Sequence, residues 1–120
     1  MVRVNVEQGD IVDIDFSPSK CHEPAFRHFG VVVGVWEANI RSSLIYVVPI
    51  TSTNNGHPFH MPVTKDVHCP IEGYAQCEAL RALDLESRTA EGKCEVVGSI
   101  SDGDLSRILG CILALLGQTQ

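Results

Sequence analysis

Only nine lysines and arginines stand against fifteen aspartates and glutamates in this chain of 120 residues, giving a formal charge of −6. A broad cationic field is therefore absent. With it goes the counterion release that drives most nucleic-acid binding, which requires many cationic contacts to phosphate. Charge alone argues against a nucleic-acid partner, so any work on RNA must rest on a local groove, a few placed cations, or histidines that gain a proton. Also missing is any apolar segment approaching the roughly 20 residues needed to cross a bilayer. Met1 to Asp10 hold no basic stretch followed by an apolar run, so a cytoplasmic protein with no membrane partner is expected. Cys21, Cys69, Cys77, Cys94 and Cys111 are odd in number and contain no CxxC pair. That spacing offers neither a disulfide framework nor a zinc knuckle, and the five read as reduced thiols.

Histidine is more suggestive, because His57 and His60 lie close together and His68 adjoins Cys69. The segment carrying them is broken by Pro58 and Pro62 and reads as a loop plus a short strand. It lacks the helical i, i+4 pair that metal motifs use, so these are expected to be loop or surface histidines, with no metal and no cofactor.

What is present is enough apolar material, 44% of residues, to bury one core, so a single domain is expected. Ile11 to Phe16 interleave apolar residues with Asp13 and Asp15, as in a strand with one wet face. Gly30 to Trp36 is β-branched at most positions and too short for a helix, which predicts a central strand buried on both faces. Leu44 to Ile50 is a second such run, and the turn signal Asn55-Gly56 follows it. Phe59 to Val63, Tyr74 to Ala79 and Glu95 to Ile100 are further strand candidates, and Leu80 to Arg88 reads as a short helical turn. Within that turn Arg81, Asp84 and Arg88 read as a structural ion-pair set. Ser101 with Asp104 three residues on forms a capping-box pattern. Leu105, Ile108, Leu109, Ile112 and Leu116 then give the stripe of an amphipathic helix ending near Gly117. Many short strands with little helix between them imply antiparallel pairing in a barrel or sandwich. The polar segment Lys20 to His28 has no periodicity and reads as an exposed, chemistry-bearing loop.

The order of these pieces carries a resemblance. GDIVDIDFSPSK, then HEP, then GVVVGVW with Asn39 following, then VVPITS, then Cys77-Glu78 with LRALD, then GSIS opening the last helix, is similar to the MazF/PemK family from about Gly9 to Leu116. The resemblance implies a mainly β fold, an SH3-like small β-barrel of the CcdB/PemK type with a C-terminal amphipathic α-helix. It also implies a homodimer and metal-independent cleavage of single-stranded RNA at a short sequence. The implied partner is a MazE/PemI-like antitoxin whose tail fills the RNA groove. Such chemistry uses the neighbouring 2′-hydroxyl as nucleophile. It needs a base, a cation or donor for the charged phosphorane, and an acid for the leaving 5′-oxygen.

The same resemblance nominates residues. The family's first loop ends in an Arg-Pro pair, which aligns here with His28 and Phe29. Glu23 keeps the family's glutamate, His22 matches a histidine some members use, and Lys20 stands beside them. A histidine is only partly charged at neutral pH, so His28 does not replace an arginine one for one, whereas Arg27 beside it is permanently charged. Neighbours in an extended segment point to opposite faces, however, and the pair can also be read as solvated loop groups. Thr51 corresponds to the family's phosphate-contacting threonine, with Ser52 and Thr53 as further donors, although the same residues suit plain turn chemistry. Gln76 and Glu78 flank Cys77 where some members place an arginine and an aspartate, and only Glu78 retains a charge. The leading expectation is an endoribonuclease toxin in which Arg27 or His28 and Thr51 engage phosphate while Glu23, His22 or Glu78 manages protons. The alternatives are a catalytically impaired barrel that binds RNA or antitoxin, and a CcdB-like gyrase poison.

Overall fold

The computed structural model describes residues 5–17 and 27–118. Among these residues seven strands and three α-helices follow one another: β1 (Asp10–Asp15), β2 (Arg27–Val32), α1 (Trp36–Asn39), β3 (Ile45–Thr51), β4 (His60–Val63), β5 (Gly73–Gln76), β6 (Arg81–Leu83), α2 (Leu85–Ala90), β7 (Cys94–Ser99) and α3 (Asp102–Leu115). Every pairing is antiparallel, in the order β4-β5-β3-β2-β1-β7. Strand β3 is the hub. Its first half pairs with β6 (Ile45↔Leu83) and its last residues with β5 (Thr51↔Tyr74), while Val47 to Pro49 face β2 across the other edge. Two partners in succession along one edge make the sheet curl, and the result is the expected mainly β, SH3-like barrel with a terminal helix. Among the described residues the end strands β4 and β7 do not pair with each other. The segment between β4 and β5 spans the gap instead: the Ser99 N–H donates to the His68 carbonyl at 3.0 Å and the Thr64 N–H to Asp104 Oδ2 at 2.8 Å.

The apolar runs are continuous because the sheet is covered on both faces. Val12, Ile14, Phe16, Val32, Val47 and Leu85 form one core. Ile11, Val31, Val48, Ile50, Ala75 and Ile108 form the other, beneath α3. Neighbours Ile11 and Val12, Val31 and Val32, and Val47 and Val48 thus point into different cores, as alternation along a strand requires. Each fully buried aliphatic contributes roughly 1.5–3 kcal/mol relative to exposure. Gly30 permits the close approach of β2 to both β3 and Phe16. A Cβ there would meet Val47 Cγ1 at 2.6 Å and Phe16 Cζ at 3.1 Å.

Several boundaries differ from expectation, each for a tertiary reason. Strand β2 starts at Arg27, within the segment expected to be loop, because it pairs with β1 out to Asp15↔Arg27. It ends at Val32, and Trp36 opens a helical turn instead of closing a strand. Trp36 is 42% exposed, and its Nε1–H donates to Asn5 Oδ1 at 2.7 Å. Asn39 ends that turn and is buried, with Nδ2 donating to the Val6 and Gly34 carbonyls. Arg81 to Leu83 is a strand, not a helical turn, since β3 offers it a partner; the helix starts only at Leu85. Residues Cys77–Ala79 leave the sheet as a 3₁₀ turn. Arg81 and Arg88 are structural, and both bind carbonyls of the main chain. Arg81 Nη1 donates to Phe16 O, and Arg88 donates to Asp15 O, Ser17 O and Asp84 O. Asp84 instead caps α2, accepting from the Ser87 N–H. On α3, Ser101 Oγ accepts from the Asp104 N–H as expected, but the Asp104 carboxylate leaves the capping box to bind Thr64 and Arg107. Leu116 lies past the end of the helix, 71% exposed, and Leu115 packs in its place.

Cys69, Cys77 and Cys94 are buried and free, and Cys111 is half-buried. Burial pushes all three buried thiols above the usual range, Cys77 further through the neighbouring Cys111 thiol. Raised, buried thiols are poor nucleophiles. Intact-mass measurement after alkylation of the native protein at neutral pH is expected to show at most two of the five cysteines modified; three or more would contradict this burial.

Candidate nucleic-acid interface

A groove of about 700 Å³ opens where β1, β2 and the end of β3 meet the approach to β5. It is lined by Asp13, Arg27, His28 and Phe29 from β1 and β2, by Ile50, Thr51 and Ser52 at the end of β3, and by Ile71 and Glu72 just before β5. The register of β1 and β2 decides which side chains share a face. Asp15 lies opposite Arg27, Ile14 opposite His28, and Asp13 opposite Phe29, and opposed residues point the same way. Arg27 therefore stands on the face of Asp13 and Asp15. His28 stands on the other, where its ring meets Phe16 edge-on with centroids 6.3 Å apart. Even so, both border the groove.

Arg27 is held in place. Its Nε donates to Asp13 Oδ1 at 3.0 Å and its Nη1 to the Gly92 carbonyl at 2.8 Å. The two side chains of the ion pair are 40% and 31% exposed, so the pair itself is worth at most about 1 kcal/mol. What it does is orient the guanidinium at the groove wall and offset its charge. With Glu72 also present, the described residues of the groove set two carboxylates against one arginine and one histidine.

Thr51 closes β3, half-buried, at a point fixed by its pairing with Tyr74. Its Oγ1 accepts the Thr53 N–H at 3.2 Å. That bond occupies a lone pair and leaves the hydroxyl proton for an incoming oxygen. The turn role and the ligand role read from sequence as alternatives are thus compatible. Ser52 lines the groove; Thr53 serves it through Thr51.

Gln76 lies on the same face of the sheet as Thr51, two residues from Tyr74 and opposite His60, but outside the groove lining. Glu78 is elsewhere. Its Oε2 sits 2.8 Å from His60 Nε2 and 3.5 Å from His57 Nε2. Lys20, His22 and Glu23 lie outside the described residues. Among the described residues before them, Arg88 and Arg81 hold the carbonyls of Asp15, Phe16 and Ser17. Asp13, Phe29, Ile71 and Glu72 were not nominated as site residues from sequence. Asp13 was visible only as the wet face of a strand and Phe29 only as the position aligned with the family proline, and for Ile71 and Glu72 there was no signal.

The described residues thus form a small antiparallel barrel with a terminal helix, bearing a groove that presents an oriented arginine and a rigid hydroxyl. The chain belongs to the PemK-like, MazF-like toxin family of type II toxin-antitoxin systems, whose family model matches residues 7–116. It is 25% identical over 111 residues to the endoribonuclease toxin MazF of Escherichia coli strain K12, covering 92% of this chain and 94% of that protein. Among solved structures, MazF from Deinococcus radiodurans superposes with a TM-score of 0.84 at 24% identity, covering 96% of this chain and 99% of the other. The MazE-MazF complex from the same organism gives 0.77 at 22%, covering 97% and 99%. No helix among the described residues is long and apolar enough to cross a membrane.

Proposed function

We propose that this toxin is an endoribonuclease that cleaves single-stranded RNA by attack of the 2′-hydroxyl on the adjacent phosphate, leaving a 2′,3′-cyclic phosphate and a 5′-hydroxyl. The observation that carries the reading is the convergence of Arg27 and Thr51 on one groove. A permanent cation and a hydroxyl whose lone pair is already engaged are suited to the non-bridging oxygens of a phosphorane. The sequence relative named as an endoribonuclease toxin, matched along nearly the whole chain, supports the same reading. His28 borders the same groove and can add a donor. Proton transfer falls to Glu23 or His22. Glu78, committed to two histidines away from the groove, is not assigned to it. The chain is proposed to act as a cytoplasmic homodimer whose groove is filled by a MazE/PemI-like antitoxin when the toxin is silent.

End-mapping of a long single-stranded RNA treated with antitoxin-free protein tests the proposal. Cleavage at a short recurrent sequence with the stated ends is expected, and RNA left intact across about pH 6 to 8 would sink it. The Asp13–Arg27 pair also favours a second reading, in which the chain binds RNA more weakly than its fold allows. Asp13→Asn removes the competing carboxylate while keeping an acceptor for Arg27. Affinity for a single-stranded oligoribonucleotide, followed by fluorescence anisotropy, should rise about 3- to 10-fold. An unchanged affinity would mean that Asp13 does not restrain the arginine.

A further inference from the structure

Outside the groove, three potential metal ligands converge on one point. His57 belongs to the segment between β3 and β4, His60 opens β4, and Glu78 lies in the 3₁₀ turn after β5. One ligand atom from each lies within 4.8 Å of the others. We infer that His57, His60 and Glu78 form a binding site for a divalent transition ion of the zinc type, with the fourth position left to water.

The geometry is near to what such an ion requires. Imidazole nitrogen and carboxylate oxygen bind zinc at about 2.0–2.2 Å, which for a tetrahedral ion separates ligand atoms by about 3.4 Å. His57 Nε2 is 3.5 Å from Glu78 Oε2, and His60 Nε2 is 2.8 Å from the same oxygen. The first needs no adjustment and the second must open by roughly half an ångström. The two rings lie stacked, with centroids 4.4 Å apart and planes inclined by 16°, so they present their Nε2 atoms side by side to one carboxylate. A single dication satisfies all three groups together.

His60 brings a cost. Its side chain is only 5% exposed, and its buried Nδ1 has no hydrogen-bond partner among the described residues. Metal at Nε2 puts the ring proton on that nitrogen, where no acceptor meets it. His57 adds a second cost. Its Nδ1 accepts the Phe59 N–H at 3.1 Å, which places the proton of the neutral ring on Nε2. Metal at Nε2 moves that proton to Nδ1 and breaks the bond to Phe59. The loss of one ordinary hydrogen bond lowers affinity about 5- to 10-fold, which points to micromolar rather than nanomolar binding. None of the three residues lines the groove, so the ion is structural: it fastens the far end of segment 52–59, whose near end carries Ser52, to the turn after β5.

Titration of chelator-treated full-length protein with Zn²⁺ tests this. One ion per chain with a low-micromolar Kd and a raised Tm are expected. Glu78→Gln, which keeps the shape but loses the charge, and His57→Ala should each weaken binding at least tenfold, while His68→Ala should not. Circular dichroism would confirm that each variant folds. Because the chain has five cysteines, Co²⁺ gives the second readout: visible d–d bands without a thiolate charge-transfer band are expected. A Kd weaker than about 1 mM, binding unaffected in both Glu78→Gln and His57→Ala, or a strong thiolate band would each overturn the assignment.

Discussion

Replacing Arg27 with alanine is expected to lower kcat/KM for RNA cleavage about 100- to 1,000-fold, the loss typical of removing one preorganised stabiliser of transition-state charge. On the free-energy scale a hundredfold loss is about 2.7 kcal/mol. Among the described residues the groove has one arginine to offset the charge of a phosphorane, and Asp13 and Glu72 give nothing in its place. Arg27→Lys should recover part of the activity, because a point charge remains while the bidentate fork is lost. His28→Ala should cost less, since an imidazole lacks the permanent charge and fork of a guanidinium. Folding should survive all three changes, as the Asp13–Arg27 pair is half-exposed. Initial rates on a fluorogenic oligoribonucleotide distinguish the outcomes. If Arg27→Ala retains activity within about threefold while His28→Ala does not, the phosphate contact belongs to His28, the position that aligns with the family arginine.

The second large effect concerns stability. Asp104→Ala is expected to destabilise the fold by about 2–3 kcal/mol, lowering Tm by roughly 10 °C for a chain of this size. Asp104 is 1% exposed. Its Oδ2 accepts the Thr64 N–H at the end of β4, and its Oδ1 accepts from Arg107. One carboxylate thereby joins the edge strand to the terminal helix across the gap that no strand pair closes. Alanine leaves the Thr64 N–H without its acceptor. Arg107, 56% exposed, is compensated by water and adds little. Asp104→Asn retains an acceptor and should lose about half as much. Equal losses for the two variants would show that the charge, not the hydrogen bond to β4, is what stabilises.

These two residues also show where the sequence was legible. Asp104 was readable as the acid of a capping box, and Ser101 does cap α3, but the carboxylate turned to Thr64, forty positions away. A local pattern identifies a helix start because the unpaired N–H groups of the first turn are a local problem. Where the remaining carboxylate goes depends on which strand end arrives beside it. Arg27 was legible as a cation and its loop as a place for chemistry. That it continues a strand, shares a face with Asp13 and borders the same groove as Thr51 is decided by register, which a loop of unpatterned residues does not encode. Trp36 and Arg81 make the same point in reverse. Each was assigned by the run it stood in, and each was reassigned by a neighbour: Asn5 for Trp36, and the free edge of β3 for the strand that Arg81 opens.

By itself the sequence determined the mainly β class, the terminal helix and the family order along nearly the whole chain. It could do so because apolar runs, turn residues and caps act over a few residues, where periodicity is visible. Only the tertiary structure decided which polar groups meet. The pairing of β1 with β2 joined Asp13 to Arg27. The turn after β5 delivered Glu78 to His57 and His60, a ligand set that spacing within the histidine segment did not contain. Contacts of that kind depend on strand register and on how the sheet curls, and no stretch of the chain short enough to show a pattern carries that information.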